Sequence, residues 1–152
     1  MGASIGVGLG LRHVLPEEQA RKVVSIIGDS TFVHSGLTGV AEMVYNPPPT
    51  GHIVIILDNS TTAMTGLQEH PGTGLTLNHE PTNRLVMEDV CRSMGVEEVV
   101  VLNPYRQKEG LREKLEELMA ADRTAVVIMR QPCILAARKS RRRKSENTGG
   151  RS

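Results

Sequence analysis

Four apolar runs along the chain alternate with segments of helical spacing. The runs are rich in Val, Ile and Leu and are bounded by glycine or polar residues, which is typical of buried β-strands. They cover residues 22–27, 52–58, 98–103 and 124–129. The run at 52–58 is the most apolar of the four, which favours a central parallel strand that is covered on both faces.

Helical spacing occupies the segments between these runs. It predicts helices at residues 1–15, 35–45, 83–94 and 106–121, the second of them with Ser35 as its N-cap. Strands and helices therefore alternate. This order predicts an α/β fold with a mostly parallel sheet, right-handed crossovers and helices on both faces.

Two polar segments interrupt the alternation. Residues 16–19 follow the first helix, and we interpret them as a linker. Residues 59–78 form a stretch rich in Thr and Gly, about twenty residues long, and a loop of that length inside a compact domain is usually functional.

The composition excludes several classes of protein. Apolar residues make up 39% of the chain, which is too many for a disordered protein. No apolar run reaches the roughly 20 residues of a membrane-spanning helix, so a membrane protein is not expected. Aromatic residues make up only 2%, which argues against nucleic-acid binding by base stacking.

The net charge of +1 conceals a division of the chain. Seven of the 18 basic residues but only one of the 17 acidic residues lie in residues 138–152. We therefore predict an acidic domain over residues 1–137, followed by a basic disordered tail. The tail leaves open a non-catalytic alternative, an anion- or nucleic-acid-binding protein, although a solvated tail is favoured over it.

The cysteines indicate the compartment. Cys91 and Cys133 lie far apart in the sequence, and the N-terminus has no secretory signal. We therefore expect reduced thiols and a cytoplasmic location.

Polar residues follow two of the predicted strands. Gly28, Asp29 and Ser30 come after the first strand, and Asp58 and Asn59 end the second, with 27 positions from 31 to 57 between the two groups. That interval holds one helix and one strand, so both turns should lie side by side at the carboxyl edge of the sheet. Carboxylate, amide and carbonyl oxygens suit Mg²⁺, which also accepts phosphate oxygens.

These turns resemble the thiamine diphosphate motif, whose usual form is Gly-Asp-Gly followed, after a gap of this length, by Asn-Asn. The strings GDSTFVHSG at 28–36 and LDNSTTAMTGLQEHPGTG at 57–74 more closely resemble the catalytic large subunit of indolepyruvate ferredoxin oxidoreductase. The opening MGASIG fits the same family, and the resemblance covers about residues 1–135. It implies a thiamine diphosphate-binding fold, here without its first strand.

The resemblance implies a role for each matching residue. Mg²⁺ would be bound by the Asp29 carboxylate, the Asn59 amide oxygen and the Thr61 backbone carbonyl. Gly28 and Ser30 would let their turn approach the diphosphate. Other cofactor contacts would come from the segment after Ser60, namely Thr62, Ala63, Met64, Thr65 and Gly66. Two residues depart from the usual motif: Ser30 replaces a glycine, and Asp58 replaces an asparagine and adds a negative charge near the metal.

Each assignment has a structural alternative. Asp29 could be a helix N-cap, and Asn59 and the threonines could be turn formers. His34 could contact substrate or move a proton, or it could be bonded locally; His70 could lie on the substrate side or brace its loop. Met64 could pack on the thiazolium ring or simply be buried.

The family resemblance also implies an activity. Such enzymes decarboxylate aryl pyruvates oxidatively to acyl-coenzyme A and pass electrons through iron–sulfur clusters to ferredoxin. Neither the pyrimidine-binding domain nor the cluster domain is recognisable in this chain. We therefore expect a truncated piece that needs that domain or a second subunit and is inactive alone. The alternative within this chemistry is a subunit acting on pyruvate or another 2-oxoacid, which the string at 58–66 disfavours.

Overall fold

A four-stranded sheet, parallel throughout, forms the centre of the computed structural model, which describes residues 2–136 without the side chain of Met64. The strands are β1 (Val24–Gly28), β2 (His52–Asp58), β3 (Glu98–Leu102) and β4 (Thr124–Arg130), arranged in the order β1-β2-β4-β3. The predicted parallel α/β fold is thereby confirmed. The predicted tail at 138–152 lies outside the described residues, so its disorder stays a prediction.

In the described part of the chain, six helical segments and two short turns precede β1 or connect the strands. They are α1 (Ala3–Val14), α2 (Glu17–Ala20), α3 (Asp29–Thr31), a π-helical turn (Phe32–Gly36), α4 (Leu37–Tyr45), a 3-10 turn (Ala63–Thr65), α5 (Met87–Ser93) and α6 (Lys108–Ala120).

Apolar side chains on both faces of the sheet form two core clusters. On one face Ile27, Val54 and Val126 pack with residues of α1, α4 and α5. On the other face Ile53 and Val127 pack against α6, which contributes buried Leu118 together with Leu111 and Leu115. Helices therefore cover both faces, as the alternating pattern predicts. Strand β1 is less buried than predicted because it lies at the edge, and Ile26 is 55% exposed.

The buried guanidinium of Arg12 holds together the segments that lead into the neighbouring strands β1 and β2. It donates to the backbone carbonyls of Val23 (2.9 Å), Thr50 (2.7 Å), Gly51 (2.8 Å) and Arg21 (3.1 Å). Its side chain is almost fully enclosed, and burial lowers the pKa of Arg12 from its usual value. The helix α1 is thus fixed to β1 and to the turn before β2 by hydrogen bonds as well as by packing.

A buried polar pair also lies under α1. The Ser25 hydroxyl donates to the Ser4 carbonyl at 2.8 Å, so it must accept from His52 Nε2, also at 2.8 Å. A Cβ at Gly8 would collide with the Ser25 hydroxyl and the His52 ring. The glycine is therefore required here by close packing of helix on strand.

His52 makes the fold sensitive to acid. Burial lowers the pKa of His52 to about 4, whereas an unfolded histidine titrates near about 6.5. Between these values the unfolded chain binds a proton that the folded chain does not, so stability falls as the pH falls from about 6.5 towards 4. We expect His52 to remove about 2–3 kcal/mol of unfolding free energy between pH 7.5 and pH 4.5.

Urea unfolding of the wild type and His52→Gln at both pH values measures this effect. Glutamine keeps an N–H donor and does not titrate, so the variant should lose less stability in acid than the wild type by the same amount. Equal acid losses in the two proteins would contradict the assignment of a buried neutral histidine.

Three predicted boundaries are wrong. Residues 17–20 form the short helix α2, because Ala20 and Arg21 donate backbone hydrogen bonds back to Pro16 and Glu17. Ser35 is not an N-cap: helical structure already begins at Asp29, and the Ser35 hydroxyl donates to the carbonyl one turn earlier. The helix expected from residue 83 begins at Met87.

The structure also bears on the predictions about membrane spans and cysteines. Within residues 2–136, no helix has both the length and the apolar character needed to cross a membrane. Cys91 and Cys133 are both free thiols. Burial raises the pKa of Cys91 to about 11, so it stays a protonated core side chain at neutral pH.

Candidate cofactor-binding site

The turns that follow β1 and β2 meet at the carboxyl edge of the sheet. These strands are parallel neighbours in register, with Gly28 opposite Leu57. As a result the Asp29 carboxylate reaches the second turn, where its Oδ2 accepts from the backbone N–H groups of Asn59 (3.1 Å) and Ser60 (2.8 Å). The structure therefore places Asp29 and Asn59 together, as their spacing in the sequence predicts.

Asp29 is buried at the first position of α3. Its Oδ1 accepts from the Ser30 N–H at 2.7 Å, and a carboxylate at a helix N-terminus is favoured by the helix dipole. Burial raises the pKa of Asp29, while the hydrogen bonds from Ser30 and Ser60 oppose that shift. Asp29 therefore lies at a helix N-terminus, as the alternative interpretation of this residue expects, and also bridges to the second turn.

A hydrogen bond between two hydroxyl groups forms a second link between the turns, and Asn59 braces its own turn. The Thr62 hydroxyl donates to the Ser30 hydroxyl at 2.8 Å, and the Asn59 Oδ1 accepts from the Thr61 N–H at 3.1 Å. A Cβ at Gly28 would meet no atom of the described chain, and its φ of −79° is open to any residue. Packing within the described chain does not require this glycine, and its contact with a diphosphate stays a prediction.

The remaining residues of the second turn lie on the long loop between β2 and α5. The buried Thr61 hydroxyl donates to the Gln68 carbonyl at 3.3 Å. The Thr65 hydroxyl donates to Gln68 Oε1 at 2.7 Å, and Gln68 Nε2 donates to the Thr65 backbone carbonyl at 2.6 Å. Ala63 lies half-buried in the 3-10 turn, and Gly66 has a φ of 126°, which favours glycine. The predicted role of Met64 falls on a side chain that the structure does not describe.

His34 lies on the exposed side of the helix that begins at Asp29. Its Nδ1 lies 2.7 Å from the Ser30 carbonyl and must donate to it, so the neutral ring carries its proton on Nδ1. This contact matches the locally bonded alternative. The predicted roles in substrate contact or proton movement stay predictions, with Nε2 as the nitrogen free to accept a proton.

His70 is buried, with only 1% of its side chain exposed, directly beside Asp29. Its Nδ1 accepts from the Gly72 N–H at 3.2 Å, so the neutral ring carries its proton on Nε2. That nitrogen lies 3.5 Å from Asp29 Oδ2 and has no hydrogen-bond partner within the described chain. The geometry favours bracing of the loop against Asp29, and a substrate-side role stays a prediction.

Sequence reasoning missed two residues of this region, Arg130 and Glu88. Arg130 Nε donates to Asp58 Oδ2 at 2.6 Å, and its two Nη atoms donate to the Glu88 carboxylate at 3.0 and 2.7 Å. The hydrogen bond from Arg130 lowers the pKa of Glu88. The signal in the sequence is a charged residue that ends an apolar strand, but only the strand order shows that it faces Asp58.

An apolar cavity opens beside the second turn. Its volume is about 500 Å³, and Asp58 and Asn59 form part of its wall. Most of the other lining side chains are apolar and come from the ends of β2, β3 and β4, including Leu57, Pro104, Tyr105, Met129 and Ile134. Apolar surface is therefore available next to the polar turns.

The donor groups at this edge are oxygen atoms of mixed type. Among residues 2–136, no three His, Cys, Asp or Glu side chains converge on a point where a metal ion could be bound. The predicted ligand set instead contains one carboxylate, one amide and one backbone carbonyl. Such a set is suited to Mg²⁺ with phosphate oxygens and is unsuited to zinc.

Comparison with known proteins identifies the class. Residues 1–129 match the family described as "Thiamine pyrophosphate enzyme, C-terminal TPP binding domain", and the chain belongs to this family. The predicted thiamine diphosphate-binding fold is thereby confirmed.

Individual relatives carry a narrower name. "Indolepyruvate oxidoreductase subunit IorA" of Archaeoglobus fulgidus is 44% identical over 146 residues, and the protein of the same name from Pyrococcus horikoshii is 40% identical over 145 residues. These alignments cover 96% and 89% of this chain but 22% of each relative. The resemblance to this enzyme group is confirmed, and the chain spans about a fifth of the relatives' length.

Proposed function

We propose that this chain holds the diphosphate of thiamine diphosphate through a Mg²⁺ ion bound by Asp29, Asn59 and the backbone carbonyl of Thr61. The observation that carries the proposal is the Asp29 carboxylate, which joins the two motif turns at one edge of the sheet. Family membership supports the cofactor, and the ligand chemistry supports the metal.

The residues present fit such a group. Asp29 Oδ1 accepts one hydrogen bond and Asn59 Oδ1 accepts one, so each oxygen keeps a lone pair for a cation. The Ser30 hydroxyl accepts from Thr62 and keeps its own proton for a phosphate oxygen, whereas the hydroxyl protons of Ser60 and Thr62 are donated to Asp58 and Ser30. The open space at Gly28 leaves room for the diphosphate to approach the backbone.

In the complete enzyme we propose an oxidoreductase that acts on a 2-oxoacid of the indolepyruvate type. Bound thiamine diphosphate supplies the electron sink for loss of carbon dioxide. The part of this chain is to anchor the diphosphate and to present the cofactor at the sheet edge, beside the apolar cavity. Coenzyme A, ferredoxin, iron–sulfur clusters and the pyrimidine-binding domain belong to the complete enzyme in this proposal, which we expect to act in the cytoplasm.

The names of the relatives favour indolepyruvate over pyruvate as the substrate class. A panel of 2-oxoacids given to an enzyme assembled with this chain would test that preference. We expect higher kcat/KM for aryl pyruvates than for pyruvate, and the reverse order would support the pyruvate alternative.

Calorimetric titration of the full 152-residue chain with thiamine diphosphate tests the anchoring role. We expect binding in millimolar Mg²⁺ that disappears when EDTA removes the metal, because the diphosphate is held through the cation. Thiamine without phosphates serves as the matched ligand control and should not bind. Equal heats with and without Mg²⁺, or no binding of thiamine diphosphate at all, would contradict the proposal.

A further inference from the structure

Asp58 places a second carboxylate beside the predicted metal ligands, and the structure shows how this charge is accommodated. Its side chain is only 2% exposed, and both oxygens already have partners. Oδ1 accepts from the Ser60 N–H at 3.0 Å and from the Ser60 hydroxyl at 3.2 Å, while Oδ2 accepts from Arg130. Asp58 differs from Asp29 in that one oxygen has two donors and the other faces the Arg130 cation at 2.6 Å, so binding of a second cation by Asp58 is disfavoured.

Arg130 is well suited to neutralise this carboxylate. The residue lies directly opposite Asp58 in the register of β4 against β2. Its Nε donates to Asp58, and its two Nη atoms form a bidentate pair with Glu88, which fixes the plane of the guanidinium. Lysine lacks the planar fork needed to hold both carboxylates in this way.

The backbone after Arg130 is tied to the same turn. The Gln131 N–H donates to the Asp58 carbonyl at 2.9 Å, and the Cys133 N–H donates to the Asn59 carbonyl at 3.0 Å. The end of β4 therefore supports both the backbone and the charged side chain of the turn that carries Asn59.

We propose that Arg130 is a positioning residue, which, oriented by Glu88, neutralises Asp58 and keeps the Asn59 turn able to receive an anionic cofactor. This inference rests on the proposed function. When Asp58 is neutralised by Arg130, it neither repels the diphosphate nor competes with Asp29 and Asn59 for Mg²⁺. Replacing Arg130 would leave a buried carboxylate without its cation, which is costly for folding and repels an anion.

Four forms of the full chain separate charge from shape: wild type, Arg130→Met, Asp58→Asn and the double variant Asp58→Asn/Arg130→Met. In urea unfolding, we expect Arg130→Met to lower the folding equilibrium constant about 30- to 300-fold. The double variant should recover the part of that loss that comes from Asp58, and only Glu88, which is less deeply buried, then lacks its cation. Arg112→Met, at the exposed pair with Glu116, is the matched control and should change little.

Titration with thiamine diphosphate in Mg²⁺ provides the second measurement. We expect Arg130→Met to weaken binding about three- to tenfold, the double variant to bind like the wild type, and Asp58→Asn to bind at least as tightly as the wild type. Failure of the wild type to bind would overturn the proposed function, whereas the unfolding cycle judges the neutralisation of Asp58 independently. Equal losses in Arg130→Met and the double variant, in unfolding and in binding, would overturn this inference.

Discussion

Replacing Asp29 by alanine is expected to abolish Mg²⁺-dependent binding of thiamine diphosphate by this chain, a loss of about 100-fold or more in affinity. Asp29 supplies the single carboxylate of the proposed ligand set, and it also holds the second turn through the N–H groups of Asn59 and Ser60. Its removal takes away both a metal ligand and the contact that joins the two turns. Calorimetry at constant free Mg²⁺ measures the loss.

The variant Asp29→Asn separates these two roles. Its amide oxygen can still accept from the N–H groups of Asn59 and Ser60, but its NH2 group replaces the oxygen that accepts from Ser30 and it carries no negative charge for the cation. We therefore expect a smaller fall in melting temperature than in Asp29→Ala, together with strongly weakened binding. Asp89→Ala, an exposed carboxylate on α5, is the matched control and should bind as the wild type does. Unchanged affinity in Asp29→Asn would remove the metal-ligand assignment.

Replacing Arg12 by methionine is expected to lower the unfolding free energy by about 3–5 kcal/mol. The substitution preserves much of the apolar stem but leaves carbonyls at Val23, Thr50 and Gly51 without their donors. Water does not reach this position freely, since Arg12 is 3% exposed. Each unsatisfied buried carbonyl costs about 1–3 kcal/mol, and relaxation of the chain limits the sum.

Urea unfolding at pH 7.5 measures the effect of Arg12→Met. Arg92→Met is the matched control, because it makes the same substitution at an exposed ion pair on α5, and it should change the unfolding free energy by less than about 0.5 kcal/mol. A loss in Arg12→Met no larger than that in the control would show that the carbonyl contacts of Arg12 contribute nothing to the fold.

Local patterns predict most of the elements because each depends on neighbours in the sequence. The apolar run at 52–58 becomes the central strand β2, and the amphipathic segment near 106–121 becomes α6. The sequence predicts the start of the helix after β1 too far along the chain, because serine is a common N-cap residue, whereas the Ser35 hydroxyl donates to a carbonyl within a helix that begins at Asp29. Capping residues mark a boundary only when the backbone before them is not helical.

Some contacts of the candidate site can be predicted from the sequence, and others cannot. Asp29 and Asn59 could be paired from sequence because one helix and one strand separate them, so parallel pairing of β1 with β2 brings both to the same edge. Arg130 could not be paired with Asp58, which lies 72 positions earlier. Their contact depends on β4 lying between β2 and β3, and apolar strands of similar composition do not specify that order.

The sequence alone determined the α/β class, the two motif turns and the resemblance to thiamine diphosphate enzymes, because periodicity and motif spacing are local properties. Tertiary structure decided the strand order, the enclosure of Arg12, the contact of His70 with Asp29 and the neutralisation of Asp58 by Arg130. Those features arise where segments distant in the chain meet, and burial then makes each hydrogen bond and each charge costly to leave without a partner.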